Sequence, residues 1–281
     1  MNPSTCAQAL AAALHLGLDR LDAQLLLLHA LGKPDSDRSW LLAHDTDELA
    51  PRVIESMRAL SLRRADGEPL AYIVGSKEFF GLALQVDKRV LVPRPDTETL
   101  VEWSLDILKL QGPALQVLDL GTGSGAIALA IAHSLKAAGR EAQVMAVDAS
   151  APALEVAREN TRRLNLAVEF VESRWLAKVS GRFHLIASNP PYIASADPHL
   201  AALKHEPLQA LASGADGLDD LRQIVDQSPA SLRPGGWLLL EHGYDQAGRV
   251  RQLLEQRGFV QVVSRQDLAG IERCSGGQWP A

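Results

Sequence analysis

The chain has 281 residues, of which 47% are hydrophobic and 22% are charged, so its length suits two domains and its composition is typical of a folded globular protein. No apolar run approaches the ~18 residues of a membrane-spanning helix, and the first residues lack the basic stretch and apolar core of a signal peptide. The formal net charge is −6 and no basic run exceeds two residues, which argues against the phosphate neutralisation that dominates DNA binding.

The cysteine content indicates which cellular compartment to expect. The chain has two cysteines, Cys6 and Cys274, at opposite ends of the sequence. Such a pair does not suggest a disulfide framework, and a metal site would need other ligands. We therefore expect a cytoplasmic protein with no metal, no membrane association and no direct nucleic-acid partner.

The first part of the chain predicts a small helical bundle. Apolar residues recur at helical spacing through residues 4–66, Asp19 is placed to cap a second helix, and Thr46 or Asp47 is placed to begin a third one. No side chains in this stretch have a catalytic spacing. We predict that residues 1–77 form a separate helical domain.

Residues 78–92 change to strand periodicity. Apolar side chains alternate with other residues from Phe80 to Val86, and Val90 to Val92 follows after Asp87-Lys88-Arg89. The pattern predicts a β-hairpin linker with its turn at the three charged residues. Two prolines end the hairpin, and Asp96 is placed to cap the helix behind it.

The rest of the chain, residues 93–281, alternates predicted strands and helices. Such alternation predicts an α/β fold with a doubly wound, mainly parallel sheet. Ligands of these sheets bind beyond the carboxyl ends of the strands, so residues that follow the strands are candidates for the site. The predicted strands are 116–120, 144–147, 168–171, 183–188, 237–240 and 260–264.

A glycine-rich segment follows the first of these strands. Its glycines allow the backbone to approach a ligand closely and to begin a helix that points at it. The G-x-G-x-G spacing differs from the G-x-G-x-x-G of dinucleotide-binding folds. The segment is Asp119-Leu120-Gly121-Thr122-Gly123-Ser124-Gly125.

Two carboxylates favour a cationic ligand for this loop. Asp119 precedes the glycines, and Asp148 ends the next predicted strand, near the position where an acid meets ribose hydroxyls. A carboxylate about 4 Å from a pyrophosphate charge would be repelled by ~4 kcal/mol near a protein surface, whereas the sulfonium and ammonium of S-adenosylmethionine would be attracted. We predict S-adenosylmethionine as the cofactor. The alternatives are an NAD enzyme, or a purely structural turn in which Asp148 caps a helix.

The most specific signal in the chain is the segment Asn189-Pro190-Pro191-Tyr192, which follows the strand predicted at 183–188. Two consecutive prolines remove two backbone donors and fix two φ angles, and each residue before a proline is pushed to extended geometry. The free polar groups of such a stiff segment are acceptors, namely the Asn189 side-chain oxygen and the main-chain carbonyls. They suit the two hydrogens of an NH₂ group, and Tyr192 can stack on a planar substrate.

This segment fits methyl transfer to an amide-like nitrogen. The lone pair of such a nitrogen is delocalised, and two acceptors on its hydrogens favour the positive charge that develops in the transition state. In-line transfer from a sulfonium depends on alignment more than on a strong base, so we expect no general-base histidine. His184 and His205 are expected to be structural or surface groups. The structural alternative is a proline turn after a buried strand.

The Asn-Pro-Pro-Tyr turn resembles that of amino-methyltransferases that act on adenine, cytosine or protein glutamine. Two further segments narrow the resemblance to the HemK/PrmC family, the release factor glutamine methyltransferases, and the likeness extends over roughly residues 68–273. These segments are Gly75-Ser76-Lys77-Glu78-Phe79-Phe80-Gly81 and Pro93-Arg94-Pro95-Asp96-Thr97-Glu98, and a shorter match is Glu241-His242-Gly243.

The resemblance implies a class I S-adenosylmethionine methyltransferase fold and methylation of N5 of the glutamine in the Gly-Gly-Gln motif of peptide-chain release factors. It implies that the cofactor is bound by the glycine loop, Asp148, Trp175 and Asn189. It implies that the substrate amide is bound by Asn189, Pro190, Pro191 and Tyr192, with Asn189, Pro190 and Tyr192 acting in catalysis. Arg174 stands where family members often carry an acid.

A glutamine on a large protein needs more contact than a catalytic pocket offers. The helical domain and the hairpin are therefore expected to bind the release factor, and the enzyme is expected to be a monomer. Sister enzymes that methylate a ribosomal protein share the Asn-Pro-Pro-Tyr turn, but they tend to have Pro-Arg-Ser-Pro where this chain has Pro93-Arg94-Pro95-Asp96.

Two further alternatives belong to other classes of protein. A DNA or RNA amino-methyltransferase would use the same turn on a flipped base and would need a basic groove, which the net charge of −6 does not favour. A non-catalytic scaffold with a relic cofactor fold would not need an intact turn and glycine loop.

The segment Gly276-Gly277-Gln278 repeats the tripeptide that such an enzyme would recognise. Glycine-rich chain ends are often flexible. We therefore expect a flexible tail in which the tripeptide occurs by chance, with self-methylation as the alternative.

Overall fold

The structure is a computed structural model that describes residues 4–281. The chain forms two compact units, with the boundary between Ser76 and Lys77. Separate clusters of buried apolar side chains stabilise them, one in the smaller unit and two in the larger one. No helix within the described residues is long and apolar enough to cross a membrane.

The smaller unit is helical, as predicted. The second helix begins at the expected cap, since Asp19 Oδ1 accepts a hydrogen bond of 2.8 Å from the Asp22 N–H. The helices of this unit are α1 (Cys6–His15), α2 (Arg20–Ala30), α3 (Arg38–Ala43), α4 (Pro51–Ala65) and α5 (Leu70–Val74).

The start predicted for the third helix, at Thr46 or Asp47, is wrong. The backbone there pairs with the beginning of the chain, where the Cys6 N–H donates to the Asp47 carbonyl at 3.2 Å. The helix that carries the predicted apolar stripe is α4, and it begins at Pro51. The fixed φ of proline suits the first position of a helix.

A β-hairpin follows, but its turn is not at the charged segment 87–89 as predicted. Phe80 and Gly81 form the turn, with φ of 50° and 76°, and two left-handed residues are what a tight hairpin turn requires. The residues before this turn pair with those after it and form the whole hairpin. Residues 90–92, which we expected to be its second strand, are therefore not a strand. The two strands are β1 (Ser76–Phe79) and β2 (Leu82–Gln85).

A seven-stranded sheet forms the centre of the larger unit. Its strands are β3 (Leu115–Leu120), β4 (Ala142–Asp148), β5 (Glu169–Glu172), β6 (Phe183–Ser188), β7 (Leu232–Glu241), β8 (Val260–Gln266) and β9 (Glu272–Gln278). The order across the sheet is β5-β4-β3-β6-β7-β9-β8. The first five of these strands pair in parallel, and β9 is antiparallel to both of its neighbours. The predicted doubly wound, mainly parallel sheet is confirmed.

Helices cover both faces of this sheet. They are α6 (Glu98–Lys109), α7 (Ala126–Ala137), α8 (Ala151–Leu164), α9 (Asp219–Gln227) and α10 (Ala247–Arg257). Alternate residues of β3 point to opposite faces: Val117 belongs to the apolar cluster that contains α6 and α7 residues, and Leu118 to the cluster that contains α9 and α10 residues.

The expectation that Asp96 caps α6 is wrong. Asp96 lies within a 3₁₀ turn over Pro95–Thr97, makes no side-chain cap, and forms an ion pair with Arg273 at 3.3 Å. Because α6 continues directly from this turn, the helix needs no separate capping residue.

The glycine-rich end is a strand, so the prediction of a flexible tail is wrong. β9 lies inside the sheet between β7 and β8, and Ser275, Gly276 and Gly277 are buried. A Cβ atom at Gly276 would lie 2.4 Å from Leu239 Cδ2 and 2.7 Å from the Leu238 carbonyl oxygen. Glycine therefore allows the neighbouring strand and the core to pack this closely.

Candidate active site

The carboxyl ends of β3, β4 and β6 lie side by side, and a cleft of about 450 Å³ opens beyond them. Ligand pockets in proteins have volumes of roughly 300–1,000 Å³. The predicted site residues that line the cleft are Gly121, Gly123, Asp148, Trp175, Asn189 and Pro191. The predicted site residues that do not line it are Asp119, Thr122, Ser124, Gly125, Pro190 and Tyr192.

Asp119 supports the glycine loop from inside the protein. Its side chain is 0% exposed, and its Oδ2 accepts hydrogen bonds from the Thr122 hydroxyl at 2.6 Å and the Ala128 N–H at 3.2 Å. Its Oδ1 has no hydrogen-bond partner within residues 4–281. Burial raises the pKa of Asp119 to about 7, against the opposing effect of the Thr122 hydroxyl. The loop therefore has a carboxyl group behind it with one free oxygen.

Asp148 lies on the cleft wall and is bonded to the same loop. Its Oδ2 accepts from the Gly123 N–H at 2.9 Å, and its Oδ1 accepts from the Ser150 N–H at 2.8 Å. Burial raises the pKa of Asp148. The structural alternative of a helix cap does not apply, because Ser150 caps α8 by accepting from the Ala153 N–H at 3.3 Å.

Trp175 forms the part of the cleft wall next to the loop. Its φ of 47° is uncommon for a bulky residue and is a form of strain that recurs at functional sites. A Cβ atom at Gly121 would come within 3.1 Å of its ring. Its Nε1–H donates to Asp220 Oδ1 at 3.0 Å, and the Ser213 hydroxyl donates to Asp220 Oδ2 at 2.7 Å. The indole ring is thus held in one orientation.

The Asn-Pro-Pro-Tyr turn begins where β6 ends. Asn189 lines both the cleft and a smaller pocket of about 80 Å³ beside it. Its Nδ2 donates to the Thr97 hydroxyl at 3.1 Å, which leaves Oδ1 as its acceptor end. Tyr192 lines the smaller pocket, and its carbonyl accepts from Gln246 Nε2 at 2.9 Å. The turn therefore connects the two cavities.

An ion pair supports the smaller pocket. The Arg94 guanidinium, which lines the pocket, contacts Glu206 Oε1 at 2.5 Å, and Glu206 Oε2 accepts from the Val92 N–H at 3.1 Å. Glu206 is buried whereas Arg94 is half-exposed. The pair ties the segment before α6 to the loop that follows the Asn-Pro-Pro-Tyr turn.

Three side chains that the sequence analysis did not single out support this site: Thr97, Asn160 and Asp220. Asn160 lies on α8, where its Oδ1 accepts from the Gln85 N–H at 2.7 Å and its Nδ2 donates to the Ser124 carbonyl at 2.9 Å. It therefore joins the hairpin to the glycine loop. Thr97 belongs to a segment that carried the family resemblance, but no pattern marked its hydroxyl as a partner of Asn189.

No histidine lines either cavity among the described residues. His184 Nδ1 accepts a hydrogen bond from the Gln116 N–H at 2.9 Å, between two strands of the sheet. Within residues 4–281, no group of three or more His, Cys, Asp and Glu side chains is placed to hold a metal ion.

The residues around the cleft fit a cationic nucleoside-containing methyl donor. The carboxyl group of Asp148 lines the cleft next to the loop, and Asp119 places a carboxyl oxygen without a hydrogen-bond partner in residues 4–281 behind the loop. Gly121 and Gly123, with φ of 72° and 55°, expose backbone to the cleft. Arg89 and Arg174 also line the cleft, and Arg89 forms an ion pair with Asp87 at 2.6 Å.

Comparisons with known proteins agree with this geometry. A family model described as the methyltransferase small domain matches residues 103–267, and one described as the PrmC N-terminal domain matches residues 4–75. A release factor glutamine methyltransferase of Xylella fastidiosa (strain Temecula1) is 49% identical over 276 residues, which cover 97% of this chain and 98% of that protein. The chain belongs to the release factor glutamine methyltransferase family.

Another member of the release factor glutamine methyltransferase family, from Burkholderia pseudomallei, is 47% identical over 290 residues, which cover 99% of this chain and 98% of the relative. Among solved structures, a methyltransferase from Pyrococcus furiosus has the same fold, with a TM-score of 0.53 and 21% identity over 72% of this chain and 91% of that one. The resemblance inferred from the Asn-Pro-Pro-Tyr turn and the segments around it is confirmed, and the chain is a methyltransferase.

Proposed function

We propose that the protein transfers a methyl group from S-adenosylmethionine to N5 of the glutamine in the Gly-Gly-Gln motif of peptide-chain release factors. One observation carries this proposal: Asn189 lies where the cofactor-sized cleft meets a small second pocket, and Thr97 occupies its donor end. The acceptor end is then available to a substrate NH₂ group. The names of the full-length relatives support the choice of substrate.

The larger cleft takes the cofactor in this proposal. The glycine loop, Asp148, Trp175 and Asn189 would hold it, and Asp119 adds negative charge from behind the loop. When bound, S-adenosylmethionine supplies a methyl group on a sulfonium. The acid at the end of the second strand of such a sheet is suited to ribose hydroxyls, and the Trp175 ring offers a flat surface to the adenine.

The smaller pocket takes the glutamine side chain. Asn189 Oδ1 and the Pro190 carbonyl accept the two hydrogens of the amide NH₂ and turn the nitrogen lone pair toward the cleft. Both hydrogen bonds strengthen as positive charge develops on the nitrogen, and Tyr192 packs against the planar amide. A methylated, positively charged amide nitrogen is strongly acidic, so it loses one proton to solvent without a dedicated base.

We also propose that residues 1–77 and the hairpin bind the release factor, and that the enzyme acts as a cytoplasmic monomer without nucleic acid. The match of residues 4–75 to the PrmC N-terminal domain supports a dedicated role for this unit. The net charge of −6 supports a protein substrate over a nucleic acid.

The direct test is incubation of a release factor with the protein and isotope-labelled S-adenosylmethionine. Mass spectrometry of the Gly-Gly-Gln peptide should show one added methyl group on the glutamine. Label on a ribosomal-protein glutamine, or on a base of nucleic acid, would replace the proposed substrate. Absence of any transfer would refute the proposal.

Asn189→Ala should lower kcat by ~100-fold or more, because it removes an acceptor that acts on the reacting nitrogen. The variant should still unfold cooperatively, since the prolines and the strand before them are unchanged. A matched control is Asn165→Gly at the end of α8, where the native φ of 49° suits glycine, and it should keep full activity. Full activity in Asn189→Ala would contradict the proposed role.

A further inference from the structure

The orientation of the Asn189 carboxamide decides whether the turn can work. A carboxamide has an acceptor end and a donor end of nearly the same shape, and they exchange when the group rotates by half a turn. The acceptor end binds an NH₂ group, whereas the donor end repels one. The prolines fix the backbone of the turn but not this side-chain rotation, so some other group must select the orientation.

Thr97 contacts the carboxamide directly. Asn189 Nδ2 donates to the Thr97 hydroxyl at 3.1 Å, and Thr97 is 4% exposed. A hydroxyl has a single hydrogen and two lone pairs. When that hydrogen is directed to another acceptor, the hydroxyl offers only lone pairs to Asn189. Asn189 must then present its NH₂ to Thr97 and its Oδ1 to the cleft.

Glu241 is the acceptor for the Thr97 hydrogen, since a side-chain hydrogen bond from Thr97 lowers the pKa of this buried acid. Ser188 pairs with Leu240 in the parallel ladder of β6 and β7, so Glu241, the last residue of β7, lies at the same end of the sheet as Asn189, the residue after β6. Glu241 is 1% exposed, and its Oε2 has no hydrogen-bond partner in the described part of the chain. Its Oε1 accepts a long hydrogen bond of 3.5 Å from the Tyr192 hydroxyl. A buried acid oxygen without a partner carries a free-energy cost that calls for a function.

We propose that Glu241, acting through Thr97, is a positioning residue that fixes the Asn189 carboxamide with its Oδ1 toward the substrate amide. The inference rests on the proposed methyl transfer to an NH₂ group, and it assigns roles to two side chains that do not touch the substrate. Charged Glu241 accepts the Thr97 hydrogen, and this selects the productive orientation. Protonated Glu241 can donate to Thr97 instead, which frees the Thr97 hydrogen for Asn189 Oδ1 and removes the acceptor from the substrate.

The surroundings of Glu241 place this exchange within the working range of pH. Burial raises the pKa of Glu241 to about 7, and Asp96 adds to the rise, whereas Thr97, Arg273 and Tyr192 oppose it. These groups come from the turn before α6, from β9 and from the Asn-Pro-Pro-Tyr turn. The carboxylate form is the populated one above this pKa, so kcat should fall as the pH drops through about 7.

The first experiment compares Thr97→Val with Thr97→Ser. Valine has the shape of threonine but no hydroxyl, and it should lower kcat on the release factor by ~10-fold, the equivalent of one hydrogen bond. The dissociation constant of S-adenosylmethionine, measured by calorimetry, should stay within about twofold of the native value, because Thr97 does not line the cofactor cleft. Serine restores the hydroxyl and should restore kcat. Native kcat in Thr97→Val would overturn the proposal.

The second experiment is the pH profile of kcat for Glu241→Gln. With saturating S-adenosylmethionine, the native kcat should fall below about pH 7, and the part of this fall that is due to Glu241 should be absent in the variant, since glutamine does not titrate. Burial also raises the pKa of Asp119 to about 7, so Asp119→Asn is the control. Its kcat should still fall as Glu241 becomes protonated. A Glu241→Gln profile that keeps the native fall would overturn the proposal.

Failure of this inference is distinguishable from failure of the proposed function. If the native protein methylates the release factor and neither Thr97→Val nor Glu241→Gln differs from it, the inference alone fails. If the native protein methylates no glutamine, the proposed function fails first. If Thr97→Val does not bind the cofactor, the Thr97→Ser rate and the two pH profiles decide the matter.

Discussion

Two carboxyl groups are buried near the cleft, Asp119 behind the glycine loop and Glu241 beside the Asn-Pro-Pro-Tyr turn. Burial raises the pKa of each to about 7. Each has one oxygen without a hydrogen-bond partner among the described residues. Because an unpaired buried polar group costs roughly 1–3 kcal/mol, both positions lower the stability of the fold.

Asp119→Asn should reduce the dependence of the unfolding free energy on pH. The pKa of Asp119 is about 7 in the folded protein and ~3.9 in an unfolded chain. The folded state therefore holds the proton more tightly, and the stabilisation from it is complete below pH ~3.9. That stabilisation is lost as the pH rises through the folded pKa of about 7. The stability of the variant relative to the native protein should therefore increase from pH 4 to pH 8. Urea denaturation at several pH values measures this change, and equal slopes in the two proteins would contradict it.

Asp220→Ala should weaken the binding of S-adenosylmethionine by ~10-fold. The substitution removes the acceptor of the Trp175 indole N–H, at 3.0 Å, and releases a ring that forms part of the cleft wall. Calorimetry gives the dissociation constant, and a change in tryptophan fluorescence would accompany it. The matched control is Asp226→Ala on the same helix, an exposed residue in a 3.3 Å surface pair with Arg257, and equal affinities in the two variants would exclude the role.

At the scale of elements, periodicity predicted helices and parallel strands well, and it failed where an element carries no apolar pattern. β9 was missed because Gly276 and Gly277 bury backbone and not side chains in the sheet. The hairpin turn was misplaced because Asp87-Lys88-Arg89 is more polar than Phe80-Gly81. The left-handed φ of Phe80 is imposed by strand pairing and does not follow from its residue type.

Gly276→Ala should lower the free energy of unfolding by about 2–3 kcal/mol. The added methyl group would lie 2.4 Å from Leu239 Cδ2 and 2.7 Å from the Leu238 carbonyl, so the strand or the core has to shift. The control is Gly248→Ala in α10, where a Cβ atom meets nothing within 4 Å and helix propensity should add ~0.5 kcal/mol. Equal stability of the two variants would mean that β9 does not occupy the interior of the sheet.

At the scale of the larger unit, the position of β9 argues against self-methylation. Gln278 pairs with Trp237, four residues before Glu241 on β7, or ~13 Å from the carboxyl end at which the cleft opens. Its Nε2 donates to the Gly235 carbonyl at 2.9 Å and its Oε1 accepts from Gln261 Nε2 at 2.6 Å. Both ends of its amide are therefore engaged.

Prolonged incubation of the protein with labelled cofactor should leave Gln278 unmodified. Mass spectrometry of the peptide that contains Gln278 measures this, and the Gly-Gly-Gln peptide of a release factor in the same reaction is the positive control. Methylated Gln278 in folded protein would contradict the placement of β9.

The sequence by itself established the local features. Covalent geometry gave the stiffness of Asn189-Pro190-Pro191-Tyr192 and the conformational freedom of the glycine loop, and the apolar period gave the regular helices and strands. Only the tertiary structure decided the partners of these groups. Asn189 and Thr97 are 92 positions apart in the chain, and Asp119 and Glu241 acquire a raised pKa because the sheet and its helices exclude water from them. Burial and hydrogen-bond partners arise from residues that are distant in sequence, so no local pattern encodes them.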